Sequence, residues 1–408
     1  MAMNRFERRL LIDTFLFGVA LTLVAVLADR LGGLRTLELF LDDHRATYFQ
    51  FFRSPPTDQL VHLDMDDRAL QDVGSWPWPR EKLAAIIDEL NMAGAKVVDM
   101  DILFSEAQRP TIEVEGEPPI DHDGMFAAAM RRLAQNPGEG VLLPWSVNII
   151  DPPERDPAVL AVFPAMREEL ERDLELNEDG LKQRLIARGL KDYDLANLID
   201  GYVNRALEEA MFLRIRRELE AGGSPDPESL RKKLLPKDFA SGIRGDLMNV
   251  LKMVLPHVES FESLGRFMRP ARPDLPPLYG QELEQAVPVP QLAEAAAFSG
   301  FVDVPNLDDG RVRSIPLWLL DRGRMVPQMG LSLACAELGV NPRDLILAPD
   351  SVTIPLHGGK RIVIPVHMVH DRYQGDVGMM MDIPWFGSGA WQTMYDWPNH
   401  RLFAQHHS

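Results

Sequence analysis

The sequence predicts an α/β protein: a mixed, largely parallel sheet with flanking helices, an N-terminal membrane helix and a helical insertion. Three observations predict it. Strand-like and helix-like hydrophobic patterns alternate over residues 60–150 and resume over 285–385. Residues 10–28 are apolar apart from Asp13 and two threonines. Residues 155–280 break the alternation with charged, helically spaced segments.

The apolar segment comes first. A membrane-spanning helix needs about 20 mostly apolar residues and a secretory core about 7–15, and the uninterrupted part, 14–28, falls between them. Arg5, Arg8 and Arg9 precede it, which places the amino terminus in the cytoplasm on either reading. Val26-Leu27-Ala28 offers a cleavage site. Leu31, Leu34, Leu37, Leu39, Phe40 and Leu41 carry the apolar character onward, which favours an uncleaved anchor over residues 1–35. A buried soluble helix is the third reading. Residues 34–52 suit an amphipathic helix continuing from the anchor.

Residues 60–66 alternate apolar and polar side chains and read as a strand. A loop with Gly74 and Trp76-Pro77-Trp78-Pro79 follows, and Pro79 suits the start of a helix. Leu83, Ile86, Ile87 and Leu90 share a helical face, which Gly94 closes as a C-cap. Residues 96–104 form the next strand, completing a strand–helix–strand unit with parallel pairing. Phe126, Met130 and Leu133 mark a helix over 123–134, and 140–150 reads as a strand in which Pro144 implies a bulge or an edge.

The helical insertion, 155–280, holds stripes such as Leu195, Leu198, Ile199, Tyr202 and Val203, with 268–277 as a proline- and arginine-rich linker. Beyond it come a helix at 291–297, a strand at 300–305, a hairpin turn at Asp309-Gly310 and a returning strand at 312–320. A helix at 329–338, a hairpin around Gly358-Gly359 and a strand at 379–383 complete the body. The body is therefore discontinuous, 36–154 and 281–408.

Composition narrows the function. The 408 residues carry a net charge of −18, which argues against a nucleic-acid partner, because phosphate binding needs clustered Lys and Arg. Residues 1–35 hold five basic and three acidic side chains, so the remainder carries −20 and belongs on the extracytoplasmic side. A single cysteine, Cys335, excludes an intramolecular disulfide framework and any multi-cysteine metal site.

Several stretches together carry a resemblance. Asp64 and Asp66 lie on the first strand, Gly74-Ser75-Trp76-Pro77-Trp78-Pro79-Arg80 precedes a helix, and Ala93-Gly94-Ala95-Lys96 leaves it. Asp101-Ile102-Leu103-Phe104, Asp121-His122-Asp123 and Asp308-Asp309-Gly310-Arg311-Val312-Arg313 follow in order. This order resembles the second type of CHASE domain, an extracytoplasmic sensory domain of bacterial cyclases, histidine kinases and serine/threonine kinases. The resemblance implies an input domain in the inner membrane, with an N-terminal anchor, its bulk in the periplasm and pairing into a homodimer. It also implies further membrane helices and an output domain after the sensor. No later apolar run of about 18 residues follows, so the expectation is a chain truncated before its output module, the alternative being a protein that has lost its output and acts through partners.

Asp64, Asp66, Asp99 and Asp101 fall near the carboxyl ends of two strands expected to be neighbours, the edge where open α/β sheets bind ligands. Two readings stand: a ligand site formed by Asp64, Asp66, Trp76, Trp78, Arg80 and Asp101, or acids that cap helices and pair with Arg80 to organise the loop. No catalytic residue, metal ligand or cofactor is assigned. Gly330-Leu331-Ser332-Leu333-Ala334 lacks a partner histidine, and His367 and His370 lack further ligands. The expected function is detection of an unidentified small-molecule or protein stimulus. The alternatives are a metal-dependent envelope hydrolase using the strand-end aspartates and an envelope scaffold that docks a partner through its insertion.

Overall fold

A computed structural model of the chain describes residues 5–30, 35–48, 59–111, 119–147, 157–235, 247–281, 286–305, 312–371 and 375–383. The chain divides into two compact units, residues 1–69 with 383–408 and residues 70–382. The first unit holds helix α1 (Arg5–Arg30) and helix α2 (Arg35–Tyr48). Helix α1 forms over the apolar run. Among the described residues, however, no helix is long and apolar enough to cross a membrane, so the spanning helix expected from the sequence is not supported there.

Residues 60–66, expected as the first strand, have no ladder partner among the described residues, and Leu60, Val61 and Leu63 are exposed. Alternation marks a face that can be half buried, but pairing is what stabilises a strand. Here Asp66 turns the chain into a helix: its Oδ1 accepts from the Ala69 N–H at 2.8 Å, and α3 (Asp67–Val73) follows.

In the second unit the parallel sheet begins one strand later than the pattern suggests. Helix α4 (Arg80–Met92) buries Leu83, Ala84 and Ile87. It ends at Gly94, whose φ of 89° admits a left-handed turn that few other residues adopt. The Gly94 N–H bonds to Asn91 O and the Ala95 N–H to Leu90 O, both at 3.0 Å, the paired bonds of a Schellman cap. Strand β1 (Val97–Asp99) is shorter than the expected 96–104, because the Ile102 N–H bonds back to Met100 O at 2.7 Å and turns the chain away. Helix α5 (His122–Leu133) then leads to β2 (Gly140–Trp145), which pairs in parallel with β1. The strand–helix–strand unit is thus built around α5.

Pro144 sits in the central strand of its sheet, neither at an edge nor in a bulge. Gly140 N–H bonds to Lys96 O and Met100 N–H to Leu142 O, so the even positions of β2 face β1. Because β1 ends opposite Leu142, the N–H that proline lacks has no ladder partner to lose.

Helices α6 (Pro157–Arg172), α7 (Glu178–Ala187), α8 (Asp192–Glu220), α9 (Pro227–Leu234) and α10 (Leu247–Leu264) make up the helical region. Their apolar faces share one core with Trp145, Phe301, Leu319, Val326 and Met380 from strands. The expected linker at 268–277 is integrated instead: it contains β3 (Arg269–Pro270), and Arg272 Nη1 donates to Leu347 O at 3.4 Å. Next come β4 (Tyr279–Gln281), α11 (Pro290–Ala295) and β5 (Phe298–Phe301), which pairs in parallel with β2 to give the order β1-β2-β5.

The expected strand at 312–320 divides at Leu317 into β6 (Ser314–Pro316) and β7 (Trp318–Asp321), which join different sheets. The Asp309-Gly310 turn lies outside the described residues, and its flanking strands do not pair: β5 bonds to β2, and β6 to β13 (Gly375–Asp382). A tight hairpin instead joins β7 to β8 (Arg324–Pro327). Arg322 at φ 43° and Gly323 at φ 79° give both central residues the left-handed twist of a type I′ turn. Helix α12 (Met329–Glu337), β9 (Ile346–Ala348), β10 (Ser351–Pro355), β11 (Arg361–Pro365) and β12 (His367–Asp371) complete the unit, with β10–β11 the hairpin expected around Gly358-Gly359.

Small sheets therefore replace one large, largely parallel one. Only β1-β2-β5 is wholly parallel; β3-β8-β7-β4 is mixed, and the sheets β11-β10-β9 and β12-β13-β6 are antiparallel. Short connections account for the antiparallel pairs β7–β8, β9–β10, β10–β11 and β12–β13, since tight turns join neighbouring antiparallel strands.

At Gly300 a Cβ would stand 2.7 Å from the backbone of Met329. Gly300→Ala is expected to lower stability by about 1–3 kcal/mol, because neither β5 nor the start of α12 can retreat without disturbing the sheet. Urea unfolding of the full chain measures this; an unchanged midpoint would show that β5 and α12 are not in close contact.

Candidate functional site

The tryptophan–proline loop is fixed from both ends. Trp78 is buried, and its indole N–H donates to Gly74 O at 2.6 Å, while Lys82 Nζ donates to Val73 O at 2.6 Å. The Trp76-Pro77 peptide is cis, and the Trp76 ring, 42% exposed, meets Trp78 edge-on at 5.9 Å. Trp78 thus packs the loop, while Trp76 offers an open aromatic face.

Arg80, the first residue of α4, is buried under the loop. Its guanidinium binds Asp123 Oδ1 on α5 and the Glu106 carbonyl, and lies over the Phe104 ring at 5.4 Å. Its backbone N–H donates to Gln108 Oε1 at 2.8 Å, and the Gln108 N–H donates to Asp123 Oδ2 at 3.1 Å. A planar fork with several acceptors is well suited to such a junction. Beside it, His122 is buried with Nε2 2.8 Å from Thr111 Oγ1 and Nδ1 3.3 Å from Glu81 Oε2.

The carboxyl ends of β1, β2 and β5 form the second part of the site. Asp303, just after β5, accepts from Ser146 Oγ at 2.8 Å and from the Val147 N–H at 2.7 Å, tying two strand ends together. At the end of β1, Asp99 is half-buried, and its Oδ1 has no hydrogen-bond partner among the described residues. Burial, and secondarily the charge of Asp101, push its carboxyl up to about 6. Asp101 is exposed in the turn beyond β1.

The residues singled out in the sequence fall into three places. Trp76, Trp78 and Arg80 form one loop, with Arg80 paired to Asp123 and not to the strand-end acids. Asp101 adjoins Asp99 at the sheet edge. Asp64 and Asp66 belong to the other unit, where exposed Asp64 lies 3.3 Å from His62 Nδ1 and Asp66 caps α3. Asp123, Gln108 and Glu106 carry the junction without having been assigned a role. The first had a signal, the Asp121-His122-Asp123 stretch of the resemblance; the other two had none.

Among the described residues no group of three or more His, Cys, Asp or Glu side chains could hold a metal. Ser332 is buried and donates to Ser299 O at 2.8 Å, while His367 and His370 lie on β12, with His370 Nδ1 2.8 Å from Asp376.

The α/β body thus presents an exposed aromatic loop residue, Trp76, and, elsewhere, two acids at the carboxyl end of β1. The family is given by comparison of the sequence: the CHASE2 domain model matches residues 19–394, and the chain belongs to that family of sensory domains of signalling receptors. No curated protein and no solved structure matches it.

Two outcomes follow from this geometry. Removing one partner of the buried pair, as in Asp123→Asn or Arg80→Ala, is expected to destabilise the chain by about 3–5 kcal/mol, with Arg80→Lys failing to restore stability because it cannot bridge Asp123 and Glu106. A loss below about 1 kcal/mol in urea unfolding would remove Arg80 from its central place. Asp99 binds a proton more tightly folded than unfolded, so its contribution to stability falls as the pH rises from about 4 to about 6. Asp99→Asn is expected to abolish that part of the decline; unfolding midpoints across this range give the test, and an unaltered slope would contradict it.

Proposed function

We propose that this chain is the extracytoplasmic input domain of a bacterial inner-membrane receptor, held by α1 and detecting its stimulus at the acidic sheet edge formed by Asp99 and Asp101. One observation carries the reading beyond family membership. Every described side chain of α1 from residue 12 to 27 is exposed, including Phe15, Leu16, Phe17, Leu21, Leu23, Val24 and Leu27, which lie all around the helix. Such a surface is stable only in an apolar solvent. Arg9, exposed at its N-terminal side, can snorkel to the interface.

Detection then works by population shift. A stimulus that binds one arrangement of that edge more tightly favours it by the difference in affinity, and no more. The two acids supply charge at the sheet edge, suited to a cationic or hydrogen-bond-donating group. Output is the business of another segment or a partner protein.

Fusions after Asp382 test the orientation. Alkaline phosphatase is expected to be active there and a cytoplasm-folding fluorescent protein dark; the opposite pattern would overturn the extracytoplasmic assignment. Deleting residues 5–30 is expected to move the chain from the membrane fraction to the soluble one.

A further inference from the structure

We infer that the outward face of the β9–β10–β11 sheet rests on an anionic lipid surface; the inference goes beyond the reading above but requires α1 to hold the chain at a membrane. An antiparallel sheet with one face on a core normally turns polar side chains outward on the other. Here the inner face is covered, with Leu347, Val352 and Ile354 buried in one apolar cluster with Leu331 and Cys335 of α12. The outer face does not follow the rule. Ile346, Thr353 and Val363 lie in one row across the three strands, and Ile346 and Val363 are 60% and 52% exposed. The rows on either side add Ala348, Ser351, Pro355 and Pro365 and a single charge, Arg361. Aliphatic side chains left open in a row mark a contact surface.

Charge says what covers it. From Ser351 to His370 the chain carries Lys360 and Arg361 and no acidic residue, although the whole chain bears −18. Both cations are exposed where the β10–β11 turn enters β11. Arg343 and Asp344, exposed just before β9, offset one another, and Asp350 lies at the far end of the sheet from Lys360. An added strand from another protein is disfavoured at the edge strand β11. The Leu356 N–H bonds to Lys360 O and the Val366 N–H to Asp350 O, so even positions bond β10 and odd ones face outward, where Pro365 has no N–H and Arg361 is charged. The face also lacks the aromatic anchors that dominate protein interfaces. A bilayer fits instead: aliphatic side chains enter the headgroup boundary while Lys and Arg meet anionic headgroups. So small a patch binds weakly by itself. A body already tethered by α1 needs only weak contact, because the tether supplies the effective concentration.

The full chain, reconstituted with phosphatidylcholine vesicles with and without phosphatidylglycerol, tests the face. An environment-sensitive fluorophore on Val363→Cys is read against the same label on Met253→Cys, an exposed position on α10. Native Cys335 stays unlabelled, because it is buried and its thiol is pushed up to about 12 by burial. With phosphatidylglycerol present, brominated lipid is expected to quench the label at 363 several-fold more than the label at 253. Lys360→Glu together with Arg361→Glu is expected to remove that difference while the chain still floats with the vesicles. Equal quenching at the two positions, in vesicles that carry the chain, would overturn the face and leave the anchor standing. A label at 363 that is shifted to the blue yet not quenched by brominated lipid would mean a protein occupant, and would overturn it too. A chain that does not float with the vesicles would overturn the anchor, and with it the tether that the face requires.

Discussion

A guanidinium withdrawn from water has to be surrounded by acceptors, and at Arg80 that requirement organises the surrounding chain. Asp123, the Glu106 carbonyl and the ring of Phe104 come from two further segments, and all must be in place for the charge to be accommodated. The loop with Trp76 and Trp78 ends at this residue, and β1 leads into the segment that carries Phe104. The exposed face of Trp76 therefore stands on a junction with little freedom to rearrange locally.

A second ionic junction joins the helical region to the strands. Arg322, held at positive φ in the β7–β8 turn, lies 3.9 Å from the centroid of Phe212 and pairs with Glu209, both on α8. Arg324 at the other end of the turn reaches Glu262 on α10 at 2.8 Å, and Arg216 of α8 reaches the same carboxylate at 3.0 Å. Helices α8 and α10 are thus bound to the hairpin by charge as well as by a shared apolar core.

Much of this architecture is legible in the residues. Gly94 predicts its own cap, the stripes at Leu83 and Phe126 predict their helices, and the loop from Gly74 to Arg80 predicts the family. What the sequence withholds depends on neighbours distant along the chain. Residues 60–66 carry a strand pattern, but a ladder needs a partner, and no local rule supplies one. Pro144 reads as an edge residue until the length of β1 is known. Arg322-Gly323 lacks the asparagine or aspartate that advertises a type I′ turn, and its positive φ is sustained by contacts to α8. Arg80 is expected to pair with the strand-end acids, yet its carboxylate partner is Asp123 on the next helix, because pairing follows the packing of α4 on α5.

The parallel pairing of β2 with β5 has a consequence for the history of each molecule. About 150 residues, including all five helices of the inserted region, separate Trp145 from the strand it bonds. Contact order is correspondingly high, and closing so long a loop is slow. During synthesis the first half of the sheet emerges well before its neighbour and waits with an apolar strand bare, so the yield of folded chain is governed by how quickly the second half arrives.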